Sequence, residues 1–286
     1  MLHNSTNPDD QLRALPLEHL VGELRKRGLA TPNMGSSLLK TIDNETLIKA
    51  VKASQKGIYG VDDRQDLFEI TDPALKSDAD SVVSLFMASN VIDNGDGTST
   101  LKTENFGTKL NLCSSEAFKD QPTGAFCSGF LVTQDIVATA GHCTFMTSNV
   151  TDIRFVFGFC MKDMSEAQVI ISNSEIYKGS EIIDRQLTGD GPDWALVKLD
   201  RKVTNHRVTE IRQTGVIPDN QAVHVIGHPA GLPIKIAGGA NVRDNSPRSF
   251  FVANLDTYGG NSGSPVFNSQ THQVEGILVR ADQTLP

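Results

Sequence analysis

Three short stretches of this 286-residue chain combine residue types that together could break an acyl bond. A serine hydroxyl is a weak nucleophile at neutral pH. It needs a histidine within hydrogen-bond reach and an acid that holds the ring in one tautomer. Val137-Ala138-Thr139-Ala140-Gly141-His142-Cys143 runs a strand of β-branched and small residues directly into a histidine. Gly191-Pro192-Asp193-Trp194-Ala195-Leu196-Val197-Lys198-Leu199 puts a carboxylate at the mouth of an apolar strand, where it can be buried and still face a cleft. Asp256-Thr257-Tyr258-Gly259-Gly260-Asn261-Ser262-Gly263-Ser264-Pro265-Val266 sets a serine among glycines between apolar strands. Glycines flanking Ser262 let the backbone turn sharply, expose the hydroxyl and aim the amides of Gly260 and Ser262 at one point, as an oxyanion hole requires. A lone strand-end histidine is more often structural and a strand-initiating aspartate is commonplace, so the reading rests on all three contexts.

The elements that must position these residues are strands. From about Gly57 onward short β-rich runs follow one another between turn residues: Ser81–Phe86, Phe126–Val132, Ile136–Thr139, Ile153–Phe157, Gln168–Ser172, Trp194–Leu199, Ala222–Ile226, Ser249–Ala253, Pro265–Phe267 and Val274–Val279. With no long helix among them, the pattern predicts an all-β barrel or sandwich. Residues 1–56 read differently. Leu17, Leu20, Val21 and Leu24 share a helical face that stops at Gly28, and a second helix starts at an Asp43 cap and places Leu47, Ile48 and Val51 on one side. This helical unit is a pro-segment, a packing appendage or a module that recruits a protein partner. Asp93-Asn94-Gly95-Asp96-Gly97 lacks the remaining spaced ligands of a calcium loop and reads as a hairpin turn. His224 and His228 flank Val225-Ile226-Gly227 and read as packing residues, with a role in a second site as the alternative.

The net charge of −8 gives polyanions no general attraction, so nucleic acid is not expected as a partner. Neither a membrane span nor a secretory signal is visible. Cys113, Cys127, Cys143 and Cys160 cluster in one β-rich stretch without a Cys-x-x-Cys pair, which favours bridges over a metal site, and neither metal nor cofactor is expected. Bridges favour a secreted or periplasmic setting and the missing signal favours the cytoplasm, so location stays open.

The His142, Asp193 and Ser262 blocks, in that order, resemble the catalytic blocks of chymotrypsin-like (trypsin-like) serine proteases, closest to the bacterial glutamyl-endopeptidase or V8-like branch. Order separates them from subtilisin-like enzymes and α/β-hydrolases, and Ser264 stands where a hydrolase elbow needs glycine. The resemblance covers Gly57 to the C-terminus. It implies two Greek-key β-barrels, the first about 57–203 and the second about 216–286, with a linker near Val203–Gly215 and the cleft between them. It also implies a serine endopeptidase acting on proteins or peptides through an acyl-enzyme, with His142 as base, Asp193 orienting it, Ser262 as nucleophile, and a Cys127–Cys143 disulfide bracing the histidine loop. Cys113 and Cys160 then remain as a pair by arithmetic.

Asp256 stands where trypsin-like members bind basic side chains, yet Asp-Thr-Tyr-Gly-Gly also occurs in the glutamyl branch. Thr257 and Arg280 join Asp256 as candidate substrate-binding residues, and the P1 preference is open between acidic and basic. Gly57-Ile58-Tyr59-Gly60 resembles a mature V8-like N-terminus, which implies processing near Lys56–Gly57. Asn261 is neutral where trypsin-like zymogens carry an aspartate, so activation must differ from their ion pair. Only 24 residues follow Ser262, so the last strand of the second barrel is expected to be missing, and a catalytically silent binding or scaffold protein is the alternative.

Overall fold

Apolar residues dominate both faces of the runs nearest His142, which is the pattern of strands buried inside a closed sheet. The computed structural model describes residues 62–280 apart from 189–190, 248 and 258. The helices expected before Gly57 and the processing position at Lys56–Gly57 lie outside these residues. Six antiparallel strands close a barrel in the order Ile176–Leu187, Asp193–Leu199, Ile136–Thr139, Cys127–Thr133, Val82–Met87 and Ile153–Val156, the last pairing back on Ile176–Lys178. Val83, Leu85, Leu131, Val137, Ile153, Phe155 and Val197 fill it.

A second set forms a six-stranded sheet in the order Arg64–Asp66, Lys235–Asp244, Ala222–Gly227, Pro265–Asn268 and Val274–Ile277, with Val252–Ala253 added on Lys235–Asp244. Arg64–Asp66 lies within the range expected for the first barrel, but pairs with Lys235–Ala237 in this second sheet. Side chains secure the pairing: the buried Lys235 Nζ donates to Asp66 Oδ1 (2.5 Å), Gln121 Oε1 (2.8 Å) and the Pro233 carbonyl (3.0 Å). Burial brings the Lys235 ammonium down to about 8 despite the opposing charge of Asp66.

The mainly β expectation holds, with differences in detail. Ile176–Leu187 and Lys235–Asp244, two long strands, were not legible as such. Ser249–Ala253 shrinks to Val252–Ala253, and the expected linker Val203–Gly215 carries no strand. Asp93–Gly97 is the turn between Val91–Asp93 and Thr98–Leu101, closed by Gly95 N–H on Asp93 Oδ1 (2.9 Å) and Thr98 N–H on Asp96 Oδ1 (3.0 Å). A short helix, Pro73–Asp80, starts at Asp72, whose side chain accepts from Ala74 N–H (2.8 Å), with proline in its first turn. It lies at the join of the two sheets, where Ala79 packs with Phe130 and Ala138 of the barrel and with Ile226, Ile236 and Phe267 of the second sheet.

Candidate active site

The Ile136–Thr139 strand ends in a 3-10 turn, Gly141–Phe145, that carries His142. A side chain at Gly141 would meet the Gln186 carbonyl at 2.5 Å and Asp193 Oδ1 at 3.0 Å, so only glycine lets this turn press against the end of the Ile176–Leu187 strand and the start of the Asp193–Leu199 strand. There Asp193 engages His142 with both oxygens: Oδ1 accepts from the His142 backbone N–H (3.0 Å) and Oδ2 lies 2.7 Å from Nδ1. Both residues are buried. Burial pushes the Asp193 carboxyl up, but the charge of His142, its two hydrogen bonds and the charge of Arg280 outweigh this and hold it below the usual range. A carboxylate that takes the Nδ1 proton in a hydrogen bond leaves the Nε2 lone pair for the cleft, the tautomer a general base needs. Trp194, the sole tryptophan of the chain, follows and is half-buried.

The Cys127–Cys143 disulfide is present, tying the start of one barrel strand to the residue after His142. The second pairing reached by arithmetic is not formed. Cys113 is exposed after the Phe106–Leu110 helix, while Cys160 packs against the apolar cluster at the join, where burial pushes its thiol up.

Ser262 sits in a loop that only glycines can follow. Gly260 has φ +106 and Gly263 φ +89, and a Cβ at 263 would lie 2.1 Å from the Ser128 carbonyl and 2.4 Å from Thr139 Oγ1. The loop is stitched to the first barrel by Ser128 N–H on the Ser262 carbonyl (2.8 Å), and within the second sheet by Gly263 N–H on the Leu278 carbonyl (2.8 Å). Cys143 Sγ lies 3.7 Å from that Ser262 carbonyl, so the serine and histidine segments meet at the disulfide. Asn261 acts as a neutral clamp: its Oδ1 accepts from Ser264 Oγ (2.8 Å) and its Nδ2 donates to Thr257 Oγ1 (3.0 Å).

The candidate specificity residues are brought to different places. Thr257 is buried under that clamp. Arg280 lies on the Asp193 side, donating from Nη2 to the Gly191 carbonyl (2.8 Å). Asp256 is buried against the beginning of the described chain, where its Oδ2 accepts from the Asp63 N–H (3.2 Å). Burial, the nearby charge of Asp256 and a side-chain hydrogen bond with it push Asp63 up to about 6. Sequence reasoning missed Asp63, Ser128 and Thr139; none stands in a motif, and Asp63 is 193 positions from its partner. His228 is buried, with Nδ1 2.9 Å from the Leu232 carbonyl, and burial brings it down to about 3, so it is a neutral donor in packing, as expected. It lines a separate cavity of about 400 Å³ with Phe68, Phe157, Phe159, His206 and Ile234.

No curated protein sequence matches the chain. Among solved structures, the VesB protease of Vibrio cholerae is similar at 15% identity and a TM-score of 0.50, over 78% of this chain and 61% of that one. The serine endoprotease of Yersinia pestis matches at 16% identity and a TM-score of 0.47, over 76% of this chain and 61% of that one. An inactive form of Rv3671c from M. tuberculosis matches at 12% identity and a TM-score of 0.45, over 80% and 86%. The VesB likeness speaks for the fold alone. The family model of the trypsin-like peptidase domain matches residues 127–277, which is more than half of the chain and takes in the histidine turn, the Asp193 strand and the serine loop. This chain therefore belongs to the trypsin-like peptidase domain family.

Proposed function

We propose that this peptidase is a serine endopeptidase in which His142 takes the proton of Ser262 as it attacks the scissile carbonyl. Asp193 holds the imidazole and stabilises the imidazolium, and the amides of Gly260 and Ser262 receive the oxyanion. His142 then returns the proton to the leaving amine, and water releases the acyl-enzyme by the same route. The observation that carries the reading is the two-point grip of Asp193 on His142, from Oδ1 to the backbone N–H and from Oδ2 to Nδ1. An acid that grips ring and backbone together fixes the imidazole in the tautomer and orientation a general base uses. The Gly260 and Gly263 conformations beside Ser262 support it.

Within the family we assign the chain to the V8-like branch on its Asp-Thr-Tyr-Gly-Gly-Asn-Ser-Gly-Ser-Pro run. The P1 side chain is charged, with Asp256, Thr257 and Arg280 as the residues to vary when its sign is measured. We further propose that the chain is processed near Lys56–Gly57, which removes residues 1–56. No helix among the described residues is long and apolar enough to cross a membrane.

Labelling with a fluorophosphonate probe, read by intact mass, tests both parts. Wild type takes one label, Ser262→Ala and His142→Ala take none, and the labelled species lacks residues 1–56. Folded wild type that stays unlabelled would overturn the catalytic assignment, and a labelled full-length species would overturn the processing.

A further inference from the structure

Away from the serine site, three metal-type donors from three separate elements converge. Asp78 lies in the last turn of the Pro73–Asp80 helix, His224 lies in the Ala222–Gly227 strand of the second sheet, and His272 lies in the turn between its Pro265–Asn268 and Val274–Ile277 strands. His224 Nε2 is 3.1 Å from Asp78 Oδ2 and His272 Nδ1 is 2.5 Å from the same oxygen, with all three donor atoms within 4.8 Å of one another. We propose that Asp78, His224 and His272 form a structural binding site for a divalent transition metal, with zinc as the best chemical match.

Two imidazoles and one carboxylate suit zinc over calcium or magnesium, which ask for oxygen ligands. In a tetrahedral site with bonds of about 2.0–2.2 Å, neighbouring donors stand roughly 3.3–3.5 Å apart. The His224–Asp78 spacing of 3.1 Å is already close to that edge. His272 has to withdraw by no more than about an ångström to meet the same edge length, and it sits on a turn.

The surroundings are those that hold ligands in place. Arg207 Nη1 binds Asp78 Oδ1 at 2.8 Å, fixing the carboxylate so that Oδ2 alone is presented. Ser269 Oγ is 3.1 Å from His224 Nδ1, and Phe267 stacks on the His224 ring at 5.2 Å, so that ring is oriented from both sides. His272 adopts φ +57, a left-handed conformation that turns its ring onto Asp78. Access exists on one side only: the Asp78 and His224 side chains are 0% and 3% exposed, but that of His272 is 27% exposed, leaving a fourth position for water.

A bound ion would clamp the helix at the sheet junction to two neighbouring parts of the second sheet. Its role there is to stabilise, and it is independent of whether the serine site turns over substrate. The sequence does not reveal the group, because His224 and His272 lie 146 and 194 positions from Asp78.

Metal-stripped protein in a His142→Ala background, which removes the catalytic imidazole as a competing ligand, should be titrated with Zn²⁺ by calorimetry and with Co²⁺ by visible absorption. The expected result is one equivalent bound, a ligand-field band of a four- or five-coordinate Co²⁺ complex, and a melting temperature that rises with metal concentration. His272→Asn, which retains a residue tolerant of positive φ, should weaken binding more than about 100-fold, beyond the loss typical of an outer-sphere partner, while its metal-free melting temperature shows that it folds. His206→Ala should leave binding unchanged. Absence of saturable binding would establish a metal-free hydrogen-bond hub, and equal binding by His272→Asn would place the metal elsewhere; either result overturns the proposal.

Discussion

At the scale of single residues, the informative pair is Asp63 with Asp256. Asp63 is raised to about 6, first by burial and then by the charge of Asp256 and the hydrogen bond they share. The folded state therefore binds its proton more tightly than the unfolded chain does. That contribution to stability is fully present below the ordinary carboxylate range near 4 and is lost as pH rises through 6. Asp63→Asn should remove the penalty, raising the midpoint of thermal unfolding at pH 7.5 and not at pH 4. After solvent screening of this partly exposed group, the gain is about 1 kcal/mol. Equal midpoint shifts at both pH values would show that the two carboxyls do not share a proton. Ser262, His142 and Asp193 of the candidate site could be singled out from the sequence because each sits in a local run that dictates its own backbone. Asp63 was not, because its meaning comes wholly from a partner across the fold.

At the scale of elements, the serine loop depends on Gly263. Its positive φ and the 2.1 Å approach a Cβ would make to the Ser128 carbonyl act against the same substitution. Gly263→Ala should cost at least about 2–3 kcal/mol, from left-handed strain plus the clash, measured by denaturant unfolding. A cost below about 0.5 kcal/mol, the range of neutral surface changes, would mean the loop relaxes freely. The strands that escaped the sequence reading have physical reasons for doing so. Ile176–Leu187 is charged along its outer half, with Glu181, Asp184 and Arg185, and its register shifts twice against Asp193–Leu199, so no clean alternation survives. Lys235–Asp244 contains Gly238 and Gly239, which interrupt the apolar period where the strand passes Asp63. Val82–Met87, Cys127–Thr133, Ile136–Thr139 and Ala222–Gly227, buried along most of their length, announced themselves by composition alone.

At the scale of the molecule, the chain near its first described residues completes the second sheet. Lys235 and Asp66 make that attachment, with side chains 1% and 5% exposed. Removing one partner of a buried pair strands the other charge. Lys235→Met should therefore cost about 3–5 kcal/mol, and adding Asp66→Asn should recover part of it. A double variant no more stable than Lys235→Met would show that the loss is one of packing. The join of the two sheets also has an optical consequence. Trp194 belongs to the first barrel and is the sole tryptophan in the chain. Its emission therefore registers the melting of that barrel, whereas the proposed covalent capture at Ser262 would demand that barrel and second sheet remain docked. If the halves loosen before either unfolds, reactivity with the probe will vanish at a lower urea concentration than the spectral shift, and the gap between the two curves measures the strength of the seam.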